Sequence, residues 1–269
     1  MLSKSRLLCI IPALLCTALS GETLWVAPVE LDVLTKRLQA GAIPQERREI
    51  VARQLFAEAG CEAAAQQVNK RSSNVICTLT GQSDSVIVVG AHFDFIARGQ
   101  GIVDDWTGTS LLPSLYEALR GKPRKHTFIF VGFAAEEEGL LGSRRFVKQL
   151  TKEQRNNVRA FINLECLGMT PLKVWQTKST PALVDLFTQI TTSIGSRPTA
   201  VNLDLVGDDD TRPFKDVNIP VISLHSVSQD KFAVLHSKAD NLDAVLPEEL
   251  FQAYRTVAFY LAYLDTKLP

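Results

Sequence analysis

The stretch HTFIFVGFAAEEEGLLGSRRFV, residues 126–147, does most to decide the fold. After His126 and Thr127, the next eight residues are apolar or glycine, and they lead into three consecutive carboxylates, Glu136–Glu138, followed by Gly139. A buried strand that ends in clustered acidic residues is typical of the C-terminal edge of a parallel sheet, where carboxylates can bind a metal or transfer protons. The alternative is a solvated helix N-terminus, because acidic residues favour that end of the helix dipole.

Other segments place metal-binding residue types close to apolar, strand-like sequence, which weakens the solvated-helix interpretation. These segments are VIVVGAHFDF (86–95) with His92 and Asp94, GIVDDWTG (101–108) with Asp104 and Asp105, VRAFINLE (158–165) with Glu165, and LHSKADN (235–241) with His236, which follows the apolar IPVISL (219–224). Histidines and acids at successive strand ends suit a pair of zinc ions, which needs N and O ligands, one bridging carboxylate and open positions for water and substrate.

The motifs AHFDF, DDWTG, FAAEEEGLLGS, INLE and LHSKAD resemble, in order and approximate spacing, those of the secreted zinc aminopeptidases of bacteria and their glutamate carboxypeptidase relatives. The resemblance spans about residues 86–241, and AEEEGLLGS is its most specific part. It implies an α/β fold of the zinc aminopeptidase, phosphorylase/hydrolase-like type. It also implies a zinc metalloexopeptidase that acts on peptide or protein substrates.

The resemblance also assigns roles to individual residues. The implied metal ligands are His92, Asp104, Glu137, Glu165 and His236, with Asp104 bridging, Glu137 and His236 completing one zinc, and His92 and Glu165 completing the other. Glu136 would be the general base that takes a proton from the attacking water. Asp94 would be the partner of His92, because a period of two places both on one face of a continuing strand.

The sequence departs from the family pattern at several positions. Glu165 stands where the family usually has Asp, so we expect the zinc shared with His92 to be the weaker of the two. A family pattern resembling D-H-x-P-F is Asp210-Thr211-Arg212-Pro213-Phe214 in this chain. Pro113 lies in the helix after Asp104 and should kink it.

Other functions remain open at this stage. Glutaminyl-peptide cyclotransferases resemble this chain but hold one zinc, at the positions of Asp104, Glu137 and His236, and usually have Trp where this chain has Leu235. A carboxypeptidase or dipeptidase is also compatible with the motifs. A binding domain without activity would predict a damaged set of ligands, whereas this set is complete. The sequence does not determine side-chain specificity, although loops 168–180 and 204–216 are expected to help form the pocket.

The N-terminus predicts export. Lys4 and Arg6 precede an apolar segment, and residues 1–20 have the pattern of a signal peptide, which leaves 21–269 as a single metallopeptidase domain, secreted or periplasmic. We predict no membrane span in the mature chain. The whole chain has 29 basic and 29 acidic residues without a basic cluster, so nucleic acid is not an expected partner. The oligomeric state cannot be predicted.

In an oxidising compartment we expect Cys61 and Cys77, on neighbouring strands, to form a disulfide, and Cys166 to remain a buried free thiol. His126 is predicted to be a surface residue, and His225 to be structural or to support the site rather than bind metal. The acidic run Asp208–Asp210 is interpreted as a solvated loop, with recognition of a substrate amine as the alternative.

The remaining pattern alternates strands and helices, which predicts a mixed, mostly parallel central sheet flanked by helices. Helices are expected near 30–41, 44–60, 106–120, 139–150, 181–194 and 247–264, and strands near 62–69, 73–80, 86–91, 127–134, 158–164, 172–176 and 219–224.

Overall fold

The computed structural model describes residues 14–17, 23–204 and 207–269. Its strands are β1 (Leu14–Thr17), β2 (Thr23–Val26), β3 (Ala64–Gln67), β4 (Ser73–Leu79), β5 (Val86–His92), β6 (Thr127–Phe133), β7 (Val158–Glu165), β8 (Lys173–Trp175), β9 (Thr199–Val201) and β10 (Val221–His225). Its α-helices are α1 (Leu31–Gln39), α2 (Gln45–Glu58), α3 (Thr107–Arg120), α4 (Leu141–Gln149), α5 (Lys152–Asn157), α6 (Pro181–Ser193), α7 (Thr211–Lys215) and α8 (Pro247–Lys267).

Eight strands form the central sheet, in the order β3-β4-β6-β5-β7-β10-β8-β9. The four middle strands, β6, β5, β7 and β10, are parallel to one another, while β3, β4 and β8 add antiparallel pairings. This arrangement confirms the predicted α/β fold with a mixed sheet. Because the middle strands are parallel, their carboxyl ends meet at one edge of the sheet.

Helices cover both faces of the sheet, because successive side chains of each buried strand point to opposite sides. In β5, Ile87 and Val89 join the larger apolar cluster, which α1, α2, α3, α6 and α8 complete. Val88 joins the smaller cluster on the other face, where α4 and α7 contribute Phe146 and Phe214. The strand run is therefore apolar on both sides, as a central parallel strand requires.

Two short helices, α5 and α7, and the strands β1, β2 and β9 were not predicted. The α5 helix begins with a capping box in which Thr151 and Gln154 satisfy each other's backbone N–H groups. Such short helices show too little apolar periodicity to be recognised from sequence.

The predicted disulfide between Cys61 and Cys77 is present, and it connects the segment after α2 to β4. Cys166 is a buried free thiol, as expected. The N-terminal strands β1 and β2 pair in an antiparallel two-stranded sheet. Apart from residues 14–17, the predicted signal segment 1–20 lies outside the described residues. Among the described residues, no helix is long and apolar enough to cross a bilayer.

Candidate active site

The seven residues singled out from the sequence lie together at the carboxyl edge of the parallel strands. His92 and Glu165 are the last residues of β5 and β7, and Asp94 follows β5 by two residues. The remaining four come from loops, with Glu136 and Glu137 shortly after β6, Asp104 in the turn before α3, and His236 in the loop after β10. Strand ends and the loops that follow them thus build the site.

Asp104 stands between the two histidines. Its Oδ1 lies 3.2 Å from His92 Nε2, and its Oδ2 lies 3.0 Å from His236 Nε2. Glu165 Oε1 is 3.3 Å from His92 Nε2, and Glu137 Oε1 is 3.2 Å from His236 Nε2. The five residues therefore form two half-sites, His92/Asp104/Glu165 and Asp104/Glu137/His236, that share one carboxylate.

Each half-site could hold a metal ion, since its three ligand atoms lie within 4.8 Å of one another. The donors are imidazole nitrogens and carboxylate oxygens, which zinc accepts in open, catalytic sites. Glu137 Oε1 is buried, and its 3.2 Å contact with His236 Nε2 lacks the geometry of a hydrogen bond, so no group among the described residues satisfies it. A buried oxygen of this kind is satisfied by a cation, so the residues present fit zinc.

The half-sites carry strongly shifted pKa values. Burial would raise the pKa of Asp104, but hydrogen bonds with His236 and His92 lower it below its ordinary value. The hydrogen bond with Asp104 raises the pKa of His236 to about 9. Burial raises the pKa of Glu137 to about 7, with a contribution from the negative charge of Asp104. Protons thus compensate the crowded carboxylates, and a divalent cation would take over that role.

Glu136 is placed beside the half-sites without being part of either. It lines the same cavity as Asp104 and Glu137, and burial raises its pKa well above its ordinary value. Its backbone N–H donates to Asp94 Oδ1 at 3.0 Å, and that of Glu137 donates to Asp94 Oδ2 at 3.1 Å. Asp94 therefore holds the acidic turn in place.

Asp94 contacts His92 in a different way from the one expected. The Nδ1 atom of His92 lies 3.0 Å from the backbone carbonyl oxygen of Asp94 and 3.6 Å from its carboxylate oxygen Oδ1. The carboxylate is instead occupied by the two backbone N–H groups of the acidic turn. The backbone carbonyl can fix the ring orientation of His92 as well as a carboxylate would.

A cavity of about 510 Å³ opens onto the half-sites. Its apolar wall includes Trp175, Val227, Phe232 and Leu235. Trp175 and Asp208 line it as well, so both loops expected from the sequence contribute to the pocket.

Two predictions about other residues were wrong. His126 is fully buried rather than on the surface, because it packs under the C-terminal end of the chain, where its Nδ1 lies 3.2 Å from Asp265 Oδ1. The run Asp208–Asp210 is not a solvated loop, since Asp209 and Asp210 are buried and only Asp208 is exposed. Burial raises the pKa of Asp210 to about 8.

His225 is buried and hydrogen-bonded to Ser223, which agrees with a supporting position.

Sequence reasoning missed several supporting residues. Arg48 is fully buried, donates to the backbone carbonyl of Phe93 at 3.1 Å and lies over the Phe95 ring. Asp240 Oδ1 accepts from the backbone N–H of Val103 at 2.7 Å, one residue before Asp104. Asp105 Oδ1 accepts from the backbone N–H of Cys166 at 3.0 Å. Asp240 and Asp105 stand within the quoted motifs, so the motifs themselves were the available signal.

The sequence pattern of peptidase family M28 matches residues 74–261, most of the chain and every residue of the two half-sites. The chain belongs to peptidase family M28. Its similarity to curated relatives of known name is limited in extent. One is leupeptin-inactivating enzyme 1 of Streptomyces exfoliatus, 30% identical over 149 residues that cover 54% of this chain and 34% of that protein. The chain thus spans about a third or less of the length of the curated relatives it matches.

Solved structures of similar fold include both peptidases and cyclases. The LapA aminopeptidase of Legionella pneumophila superposes with a TM-score of 0.78 at 18% identity, covering 90% of this chain and 73% of that one. An Acidobacteriales bacterium glutaminyl cyclase gives a TM-score of 0.70 at 17% identity, covering 88% of this chain and 94% of that one. At these identities the likeness establishes the M28 fold alone.

Proposed function

We propose that this M28 protein is a secreted dizinc aminopeptidase that hydrolyses N-terminal residues from peptides. The observation that carries the proposal is the pair of half-sites sharing Asp104, with Glu136 next to them but outside both sets of ligands. The predicted signal segment supports secretion, and the aminopeptidases among the similar proteins support the class of substrate.

In this proposal the chain's residues divide the work. His92, Asp104 and Glu165 hold one zinc, and Asp104, Glu137 and His236 hold the other. Bound zinc supplies Lewis-acid chemistry, which polarises a carbonyl group and makes water more acidic. Glu136 takes the proton of the attacking water and delivers it to the leaving amine. Burial raises the pKa of Glu136, which favours its acceptance of the water proton over leaving that proton in solution.

Replacing Glu136 tests this assignment. We expect Glu136→Gln to bind zinc as the wild type does and to lose on the order of 10²–10⁴-fold in kcat on aminoacyl substrates, because the amide cannot accept the proton. Zinc content by elemental analysis and kcat on an aminoacyl substrate are the two measurements. Glu138→Gln is the matched control, since Glu138 is exposed and lies outside both half-sites, and it should retain wild-type turnover. Near wild-type turnover by Glu136→Gln would exclude the mechanism.

A second candidate is a glutaminyl-peptide cyclotransferase with a single zinc at Asp104, Glu137 and His236. The observation that favours it is the length of the glutaminyl cyclase chain, of which this chain covers 94%. Leu235 argues against the cyclase assignment, because the cyclases usually have Trp at that position. The number of zinc ions per chain separates the two candidates. About two favours the peptidase, and about one, together with cyclisation of N-terminal glutamine, favours the cyclase.

A further inference from the structure

On the side away from His92, the Glu165 carboxylate is hydrogen-bonded to Asn163, which in turn is hydrogen-bonded to Asp209. Neither Asn163 nor Asp209 is a predicted metal ligand. Asn163 lies two residues before Glu165 in β7, so both side chains point to the same face of the sheet. Asn163 Nδ2 donates to Glu165 Oε2 at 2.8 Å and to Asp209 Oδ2 at 3.3 Å. The other oxygen of Glu165, Oε1, is left to face His92.

The orientation of the Asn163 amide follows from its neighbours. Both Glu165 and Asp209 present carboxylate oxygens, which accept hydrogen bonds, so the NH₂ group must point at them. The carbonyl oxygen Oδ1 of Asn163 is buried and has no partner among the described residues. Leaving such an oxygen unsatisfied is unfavourable, and two hydrogen bonds to carboxylates offset that loss.

Asp209 is itself firmly held. It accepts hydrogen bonds from the backbone N–H of Thr211 at 3.0 Å and from the hydroxyl groups of Thr211 and Ser223. Burial would raise the pKa of Asp209, but its contacts with His225, Ser223 and Thr211 lower it to about 2. Asp209 is therefore a charged acceptor at a fixed place, with Asn163 between it and the metal half-site.

We propose that Asn163 is a positioning residue that fixes the Glu165 carboxylate for the half-site of His92, Asp104 and Glu165, and that Asp209 anchors Asn163. Glutamate has one more rotatable bond than aspartate, so a carboxylate at this position needs an external contact to hold one orientation. The inference rests on the zinc binding in the proposed function. It extends that function, because zinc binding at one half-site then depends on Asn163 and Asp209, which are not themselves ligands.

Zinc-binding isotherms of the wild type, Asn163→Ala and Ser223→Ala test the proposal. Ser223 is the matched control, because it is fully buried and hydrogen-bonds to the same Asp209 Oδ2 but makes no hydrogen bond to Glu165 among the described residues. We expect Asn163→Ala to weaken one of the two zinc sites by roughly 10–100-fold and to leave the other unchanged. Ser223→Ala should weaken zinc binding far less than Asn163→Ala, because Asp209 keeps its two hydrogen bonds from Thr211. Thermal unfolding shows whether each variant is folded.

Three results would overturn the proposal. They are equal loss of affinity in Asn163→Ala and Ser223→Ala, loss of both zinc sites in Asn163→Ala, and a single zinc site in the wild type. If Asn163→Ala does not fold, Asn163→Ser gives the same comparison, since its hydroxyl is too short to reach both carboxylates. The isotherms need no substrate. An absence of peptidase activity would therefore refute the proposed function without affecting this comparison.

Discussion

At the scale of single residues, we expect the length of the Glu165 side chain to set how tightly its half-site binds zinc. Glu165 reaches His92 on one side and Asn163 on the other, at 3.3 and 2.8 Å. From the sequence alone, aspartate at 165 would be expected to hold zinc at least as tightly, because the family usually has it there. The contact with Asn163 reverses that expectation, since the surroundings are fitted to the longer side chain.

We therefore expect Glu165→Asp to weaken the zinc shared with His92 by about tenfold, the loss typical of a disturbed contact around a metal ligand. In the Glu165→Asp background, Asn163→Ala should have little further effect, because the contact it removes is already lost. Zinc-binding isotherms of the wild type, the two single variants and the double variant form a double-mutant cycle that measures this coupling. Additive losses would show that Asn163 and Glu165 act independently.

The residues of the half-sites could be predicted from sequence because motif order and strand ends place them at one edge. Asn163 and Asp209 could not be connected in this way, since they are 46 positions apart and meet only when β7 and the loop before α7 pack together. His126 was misjudged for a related reason. Its burial depends on the C-terminal segment, more than 130 positions away, which no local pattern reveals.

At the scale of elements, the short helix α7 owes its position to one aromatic ring. Phe214 is fully buried and stacks on Phe161, with ring centroids 3.9 Å apart and an interplanar angle of 12°. Phe146 of α4 and Phe133 of β6 complete this aromatic cluster. Because Asp209 and Asp210 immediately precede α7, this packing also fixes the acidic run beside the half-sites.

Phe214→Ala should reduce the free energy of unfolding by about 3–5 kcal/mol, as expected for removal of a buried aromatic ring. It should also raise KM for a peptide substrate, because the loop before α7 lines the cavity. Phe187→Ala, equally buried but in α6, is the control that should lose similar stability with little change in KM. Urea unfolding and steady-state kinetics measure both effects. Similar KM values for the two variants would contradict the role given to α7.

The longer elements were predictable, since α1, α3, α8 and the parallel strands have a clear apolar pattern and most of their ends fall within two or three residues of expectation. The α7 helix was not, because its five residues span little more than one turn. Its stability comes from the packing of Phe214 rather than from helix propensity.

At the scale of the whole molecule, the crowding of acids makes stability depend on pH. Burial raises the pKa of Glu137 to about 7, of Asp210 to about 8 and of Asp240 to about 6, and the hydrogen bond with Asp104 raises that of His236 to about 9. With all four values raised, the folded state binds more protons than the unfolded state. Stability should therefore fall as the pH rises through this range.

We expect the protein treated with chelator to have its highest Tm near pH 4–5 and to lose stability progressively up to about pH 9. Excess zinc should reduce or reverse this decline, because a bound metal replaces the protons and stabilises the folded state by mass action. Thermal unfolding across this pH range, with and without zinc, measures both curves. A Tm that rises with pH in the presence of chelator would contradict the predicted sign.

Cys166 follows Glu165 directly and is 3% exposed, and it is the one unpaired cysteine among those whose side chains the structure describes. Burial raises the pKa of its thiol well above the ordinary value, so the thiol is neutral as well as shielded. Cys166 lines the cavity but exposes little of its surface there, so we expect its thiol to react with a reagent mainly when the chain around the end of β7 opens. The rate of labelling of Cys166 thus reports how often the end of β7 unfolds locally. The native protein therefore contains its own probe of motion at the sheet edge where its chemistry is proposed to occur.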